Sequence, residues 1–147
     1  MTASSPFRRF HRLSGRELAQ FAEAACALTL ATAAIRILPF RTVIRTMGYG
    51  GAEHDRGQAD ADAALEVRRA VKRAARRLPW NIVCFPEGLA AHWMLRRRGV
   101  PSLVHYGLRQ SPSKLSAHVW VTLGETVVIG QETTDLHTCV AVFPPPP

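Results

Sequence analysis

Two residues of this chain have types and places that suit covalent chemistry: Cys84, at the apparent start of a helix, and His118, at the opening of a β-hairpin. Cys84 sits in "NIVCFPEGL", just before a helical pattern that runs from Phe85 to Arg98. Unpaired N–H groups and the dipole at a helix N-terminus favour thiolate over thiol, which makes a cysteine there a nucleophile for a carbonyl. Pro86 falls near the first helical position, where a missing N–H is tolerated, and Glu87 helps close the first turn. A thiol nucleophile needs a base. The histidines are His11, His54, His92, His105, His118 and His137. His92 belongs to the same helix and cannot fold back over its start. His105 falls within a strand. His118, in "SAHVWV", is placed to take the thiol proton and return it to a leaving amine.

A third group should orient the imidazole. If Gly124-Glu125 is a two-residue turn, His118 faces Gln131; a three-residue loop puts it opposite Gly130 or Glu132. Gln131 would orient it as a neutral amide and Glu132 as a carboxylate, while Asp135 requires the chain to bend back. Glu132 is the preferred candidate. The plainer roles of these residue types are packing ones. Cys26, in an apolar helix, and Cys139, in an apparent strand, read as packed residues. Trp80, Trp93 and Trp120 read as core or groove wall. Arg96 to Arg98 read as a solvated helix end, with contact to an acidic peptide as the functional alternative.

The elements that must hold these residues follow from periodicity. Ser14 and Glu17 form a capping-box pattern, and Leu18, Phe21, Ala22, Ala25, Leu28, Ala31 and Ile35 recur at helical spacing until Pro39 forces a stop. A short helix over Arg41 to Met47 is expected next. Gly48 to Gly57 reads as a loop that covers the groove. A third helix is expected from about Asp60 to Arg77, ended by Pro79. Beyond the Cys84 helix, which Gly99 stops, strands are expected at Pro101 to Arg109, Ala117 to Leu123, Thr126 to Gly130 and Thr138 to Phe143, with "SPSKLS" as a loop. The expected fold class is α+β: a helical region over 1–78, a helix-plus-antiparallel-sheet core over 79–143 and a proline tail over 144–147, together one compact unit.

With 147 residues the chain suits one domain with its own core. Cys26, Cys84 and Cys139 are odd in number and form no CxxC pair, which argues against a zinc site or a disulfide framework and for a reducing cytoplasm. No metal or cofactor is expected. The first residues lack a signal-peptide pattern. Ala24 to Ile35 is an uncharged run of 12 residues, against the roughly 20 that span a bilayer. It reads as a buried helix, with peripheral membrane contact the weaker alternative. The net charge of +8 admits nucleic acid, an acidic peptide or an anionic surface. Nucleic acid is disfavoured, because the arginines are scattered and no basic motif interleaved with aromatics occurs.

The segments "CFPEGLAAHWMLRRRGVPSLVHYGLR" and "AHVWV...VVIG" resemble the leader peptidases of lasso-peptide biosynthesis, the microcin-processing type within the transglutaminase-like cysteine proteases. A cysteine opening a helix, a run ending in LRRRG, an apolar strand and a His-x-Trp-Val hairpin stand in the family's order, and "RELAQFAEAACALTLATAAIRILPFR" is similar to its helical front part. The order of Cys84 and His118 is also that of papain-like thiol enzymes. The resemblance implies a cytoplasmic cysteine protease, with Cys84 as nucleophile and His118 as base, that cuts a ribosomally made precursor peptide at the leader–core junction. Its implied partners are a separate leader-recognition protein and an ATP-dependent cyclase, for which the front helices are a candidate dock. The family commonly has an aspartate about where Gly130 stands, so Gln131, Glu132 or Asp135 substitutes here, or the enzyme works as a dyad. The competing functions are another thiol acyl-transfer activity, such as transglutaminase-like amide formation, and a non-catalytic basic module for an acidic partner.

Overall fold

The computed structural model describes residues 14–48 and 56–145. The expectations for His11, His54, most of the Gly48 to Gly57 loop and the last two prolines fall outside the described residues. Four helices come first: α1 (Gly15–Ile37), α2 (Phe40–Arg45), α3 (Gln58–Ala75) and α4 (Cys84–Arg97). Then follow β1 (Leu103–Ser111), β2 (Lys114–Leu123), β3 (Thr126–Ile129), a 3-10 turn (Gln131–Leu136) and β4 (Thr138–Phe143). The strands form one antiparallel sheet in the order β3-β2-β1-β4. The class is α+β, with a helical front and the Cys84 helix laid on a small sheet.

Local chemistry explains most boundaries. The Ser14 hydroxyl accepts from the Glu17 backbone at 3.2 Å while the Glu17 carboxylate accepts from the Ser14 N–H at 2.9 Å, the reciprocal box that starts α1. Leu38 is extended ahead of Pro39 and ends it. One face of α1, carrying Ala24, Leu28 and Ala31, enters the core against α3 and α4. The rest differs from the expected buried helix: Leu18, Leu30 and Ile37 are exposed, and so is Cys26. At 23 residues α1 is long and apolar enough to cross a membrane by length and composition. Cys139 is likewise exposed rather than packed, because β4 is an edge strand.

The core lies between α4 and the sheet and between α4 and the two long helices. Leu89, Met94 and Leu95 of α4, Val67 and Val71 of α3, and Val104, Val119, Val121 and Ile129 of the sheet are buried there. Gly88 sets the distance between α4 and β2. A Cβ at this position would stand 2.7 Å from Cγ1 of Val119, closer than real side chains approach. "SPSKLS" is not a loop: Ser111 pairs with Lys114, so β1 and β2 continue to a two-residue turn at Pro112-Ser113.

The second hairpin decides the site. Leu123 pairs with Thr126 around Gly124-Glu125, the expected two-residue turn. The register then slips by one, since Thr122 pairs with Val127 but Val121 with Ile129. This bulge gives β3 one residue more than its partner, and the strand ends at Ile129. Gly130, at φ +85°, then turns the chain into the 3-10 segment.

Candidate active site

Cys84 is the first residue of α4, following the extended Val83, one residue earlier than the sequence pattern implies. The first intrahelical bond runs from the Glu87 N–H to the Val83 carbonyl at 3.3 Å. The N–H of Cys84 thus has no partner within the helix, and Pro86 occupies a place whose N–H would be unpaired anyway. The thiol is half-buried, with Sγ 4.0 Å from the carbonyl oxygen of Ala117. It therefore reaches the backbone of the residue just before His118.

The His118 ring is fixed from three sides. Nε2 lies 2.7 Å from the Gly130 carbonyl oxygen. The ring stacks on Trp120 at 6.0 Å between centroids, and the His137 ring stands 5.3 Å away. A carbonyl can only accept, so Nε2 carries the hydrogen, and in the neutral ring the lone pair is left on Nδ1. The imidazole is thereby held in one tautomer with a defined basic nitrogen. No hydrogen bond joins Sγ to the ring. Strand alternation is the reason: Val119 and Val121 face α4, so His118 leaves the other side of β2 with Trp120. Ala117 and His118 lie on the stretch of β2 paired with β1 but not with β3.

Gly130 is the residue that sequence reasoning passed over, because a glycine has no side chain to orient anything with. Its backbone does the orienting. A Cβ here would meet the Val119 carbonyl oxygen at 2.6 Å and the Trp120 Cα at 2.9 Å. Only a glycine brings the chain this close to β2 with φ positive, and the close approach delivers its carbonyl to the imidazole.

The preferred third residue, Glu132, is placed elsewhere. Its carboxylate meets Lys72 Nζ at 3.4 Å, while the hydrogen bond of His118 goes to Gly130. Gln131 and Asp135 are exposed on the 3-10 segment. The expectation assumed that the β2–β3 ladder extends to these residues; the bulge and Gly130 end it first. Glu132 is held below the usual carboxylate range by a hydrogen bond from its own backbone, which outweighs partial burial, and then by the charges of Lys72 and Arg68. Lys72 also meets Glu87 at 2.8 Å. Burial pulls the Lys72 ammonium down, but Glu87 and Glu132 outweigh it and hold it above the ordinary lysine value.

Beside these groups lies an open cleft of about 620 Å³, lined by Lys72, Arg76, Trp80, Asn81, Ile82, Glu87 and Glu132. It leads along the segment that runs into Cys84. On another flank, Phe85 joins Phe40 and Tyr106 in an aromatic cluster with centroids 6.0 to 6.3 Å apart. The other histidines serve different ends. His92 is buried with Nδ1 2.9 Å from Ser102 Oγ. His105 stacks on Trp120 at 5.3 Å, with Nε2 2.9 Å from Thr122 Oγ1 and Nδ1 3.8 Å from Cys139 Sγ. Burial lowers its pKa. Among the described residues no cluster of three or more His, Cys, Asp or Glu could hold a metal ion.

The transglutaminase-like superfamily model matches residues 24–141. The chain belongs to the transglutaminase-like superfamily. The match takes in part of α1 and all of α2, α3 and α4, as well as the whole sheet up to Ala141. Comparison with curated proteins and with solved structures gives no match. The transglutaminase-like superfamily includes cysteine peptidases and transglutaminases, thiol enzymes that work through acyl transfer.

Proposed function

We propose that the protein is a cysteine peptidase that removes the leader from a ribosomally synthesised lasso-peptide precursor. The observation that carries a thiol mechanism is the His118–Gly130 hydrogen bond, which leaves Nδ1 as the base beside a strand that the Cys84 thiol already touches. The lasso-precursor substrate rests on the sequence resemblance around "CFPEGLAAHWMLRRRG" and "AHVWV".

In this scheme Nδ1 of His118 takes the Cys84 proton, and the sulfur attacks the carbonyl of the last leader residue. The Cys84 N–H at the helix start stabilises the oxyanion. The C–N bond breaks as the imidazolium protonates the departing core amine. His118 then deprotonates a water, which hydrolyses the thioester to the leader acid and frees the thiol. Because the ring leaves β2 on the face away from α4, the first step requires thiol and imidazole to meet round the edge of β2 that β3 leaves unpaired at Ala117 and His118. The freed core amine would pass to a separate ATP-dependent cyclase, with a separate protein supplying leader recognition, both in the cytoplasm.

The test is Cys84→Ala against the parent protein, given precursor peptide and the leader-recognition partner, with products read by mass spectrometry. Loss of the leader and core fragments in the variant is expected; undiminished cleavage would reject the scheme. Adding a primary amine to the parent reaction separates hydrolysis from transglutaminase-like amide formation, since the leader then emerges as acid or as amide.

A further inference from the structure

Lys72 is one of two lysines in a chain whose other basic side chains, histidines aside, are arginines. It lies on α3, which carries neither candidate catalytic residue, yet it touches both the helix that Cys84 opens and the 3-10 segment that follows Gly130. Nζ meets Glu87 Oε2 at 2.8 Å, and Glu87 stands three residues after Cys84 in the first turns of α4. The same Nζ meets Glu132 Oε1 at 3.4 Å, and Glu132 stands two residues after Gly130. The Glu87 end is largely buried, with 13% of its side chain exposed, whereas the Glu132 end is open to water at 63%. One ammonium thus ties the start of the nucleophile helix to the segment whose carbonyl orients the imidazole.

We infer that Lys72 is a positioning residue that holds the Gly130 carbonyl in register with His118 by clamping Glu132 against Glu87. This rests on the peptidase reading of Cys84 and His118. β3 has ended at Ile129, and from there the chain runs through a left-handed glycine and a short 3-10 turn. No strand ladder fixes Gly130; its packing on Val119 and Trp120 sets how near β2 it comes, and the ion pair holds the segment that follows it. A lysine suits the position because its ammonium is compact and can donate to two carboxylates at once, where a guanidinium prefers one planar partner.

The experiment uses the full-length chain with Cys26→Ser and Cys139→Ser, both exposed positions, so that Cys84 is the single thiol. Two quantities are read: the rate at which precursor peptide is cleaved with the leader-recognition partner present, and the His118 tautomer by nitrogen-15 NMR of the labelled imidazole. Lys72→Met should mix the two tautomers and slow cleavage roughly 10-fold, part of the 10²- to 10⁴-fold that a positioned base supplies. Lys72→Arg should recover part of both. Glu132→Gln removes only the exposed end and should move both readouts in the same direction while the fold persists, so it decides the matter if Lys72→Met does not fold. Cleavage that Cys84→Ala leaves undiminished would sink the peptidase reading and the clamp with it. Cleavage lost in Cys84→Ala, with an Nε2–H tautomer that neither Lys72→Met nor Glu132→Gln disturbs, overturns the clamp alone.

Discussion

Nε2 of His118 lies 2.7 Å from the carbonyl oxygen of Gly130. In the proposed mechanism a backbone oxygen takes the part expected of a carboxylate side chain. It fixes the tautomer and the ring plane, but as a neutral acceptor it stabilises the imidazolium less than a charge would. Gly130→Ala tests this contact. The added Cβ cannot fit 2.6 Å from the Val119 oxygen, so the backbone must withdraw and take its carbonyl along. Peptidase kcat should fall about 10²-fold with KM little changed, the mark of an interaction that counts in the transition state. A kcat equal to the parent's, with the Nε2–H tautomer intact, would refute the role of the carbonyl.

Cys84 and His118 should fail as a unit. Cys84→Ala and His118→Ala are each expected to lower kcat/KM by about 10³-fold or more, and the double variant by no more than the worse single one. Losses that multiply in the double variant would show that the two side chains act independently, against a shared proton transfer.

The closeness of α4 and β2 gives a stability prediction. Gly88→Ala should cost about 1 to 3 kcal/mol by overpacking against Val119. Because the clash is with a side chain, Val119→Ala in the same chain should relieve part of it. Denaturant unfolding of the parent, the two single variants and the pair measures this. A double variant as destabilised as the sum of the singles would mean that the two positions do not press on one another.

Acid should weaken the fold through His92 before it reaches the carboxylates. Burial pulls this imidazole from 6.5 to about 4, and the Arg96 charge adds to the effect. Nε2 lacks a hydrogen-bond partner, and the nearby Met47 backbone favours the protonated ring only slightly. Between those two values the unfolded chain binds a proton that the folded one refuses. Stability is full above the unfolded value and declines as pH falls toward the folded one, by about 3 kcal/mol at most. Glu23 acts lower: its hydrogen bond from Arg98, against partial burial, holds its carboxyl below the usual value, so its contribution is lost only in stronger acid. Unfolding midpoints across this range should show a slope above the carboxylate region that His92→Gln flattens. A slope unchanged in the variant would assign it to another group.

Much of the frame is legible along the chain, since its signals are local. The Ser14–Glu17 box, the stop at Pro39, the helix opening near Cys84 and the Gly124-Glu125 turn are written in residues a few positions apart, and the structure has each of them. The α+β class follows from the change of period after Leu78, and the superfamily expected from the resemblance is the one whose model matches residues 24–141. Lys72 is one of two lysines in an arginine-rich sequence, a rarity that names no partner.

Which face of α1 is buried, where Glu132 points and what holds His118 were settled only by tertiary contacts. The bulge opposite Val121 and the left-handed Gly130 end β3 before Gln131 or Glu132 can come opposite the imidazole. A one-residue slip in register changes every later pairing, and nothing within the strand's own sequence forces it. The sequence by itself determined that a thiol and an imidazole would stand on neighbouring elements. The packing of α4 on β2 and the close approach of one glycine determined that a backbone oxygen, not a carboxylate, would orient the ring, because hydrogen-bond partners distant along the chain are chosen by how elements pack.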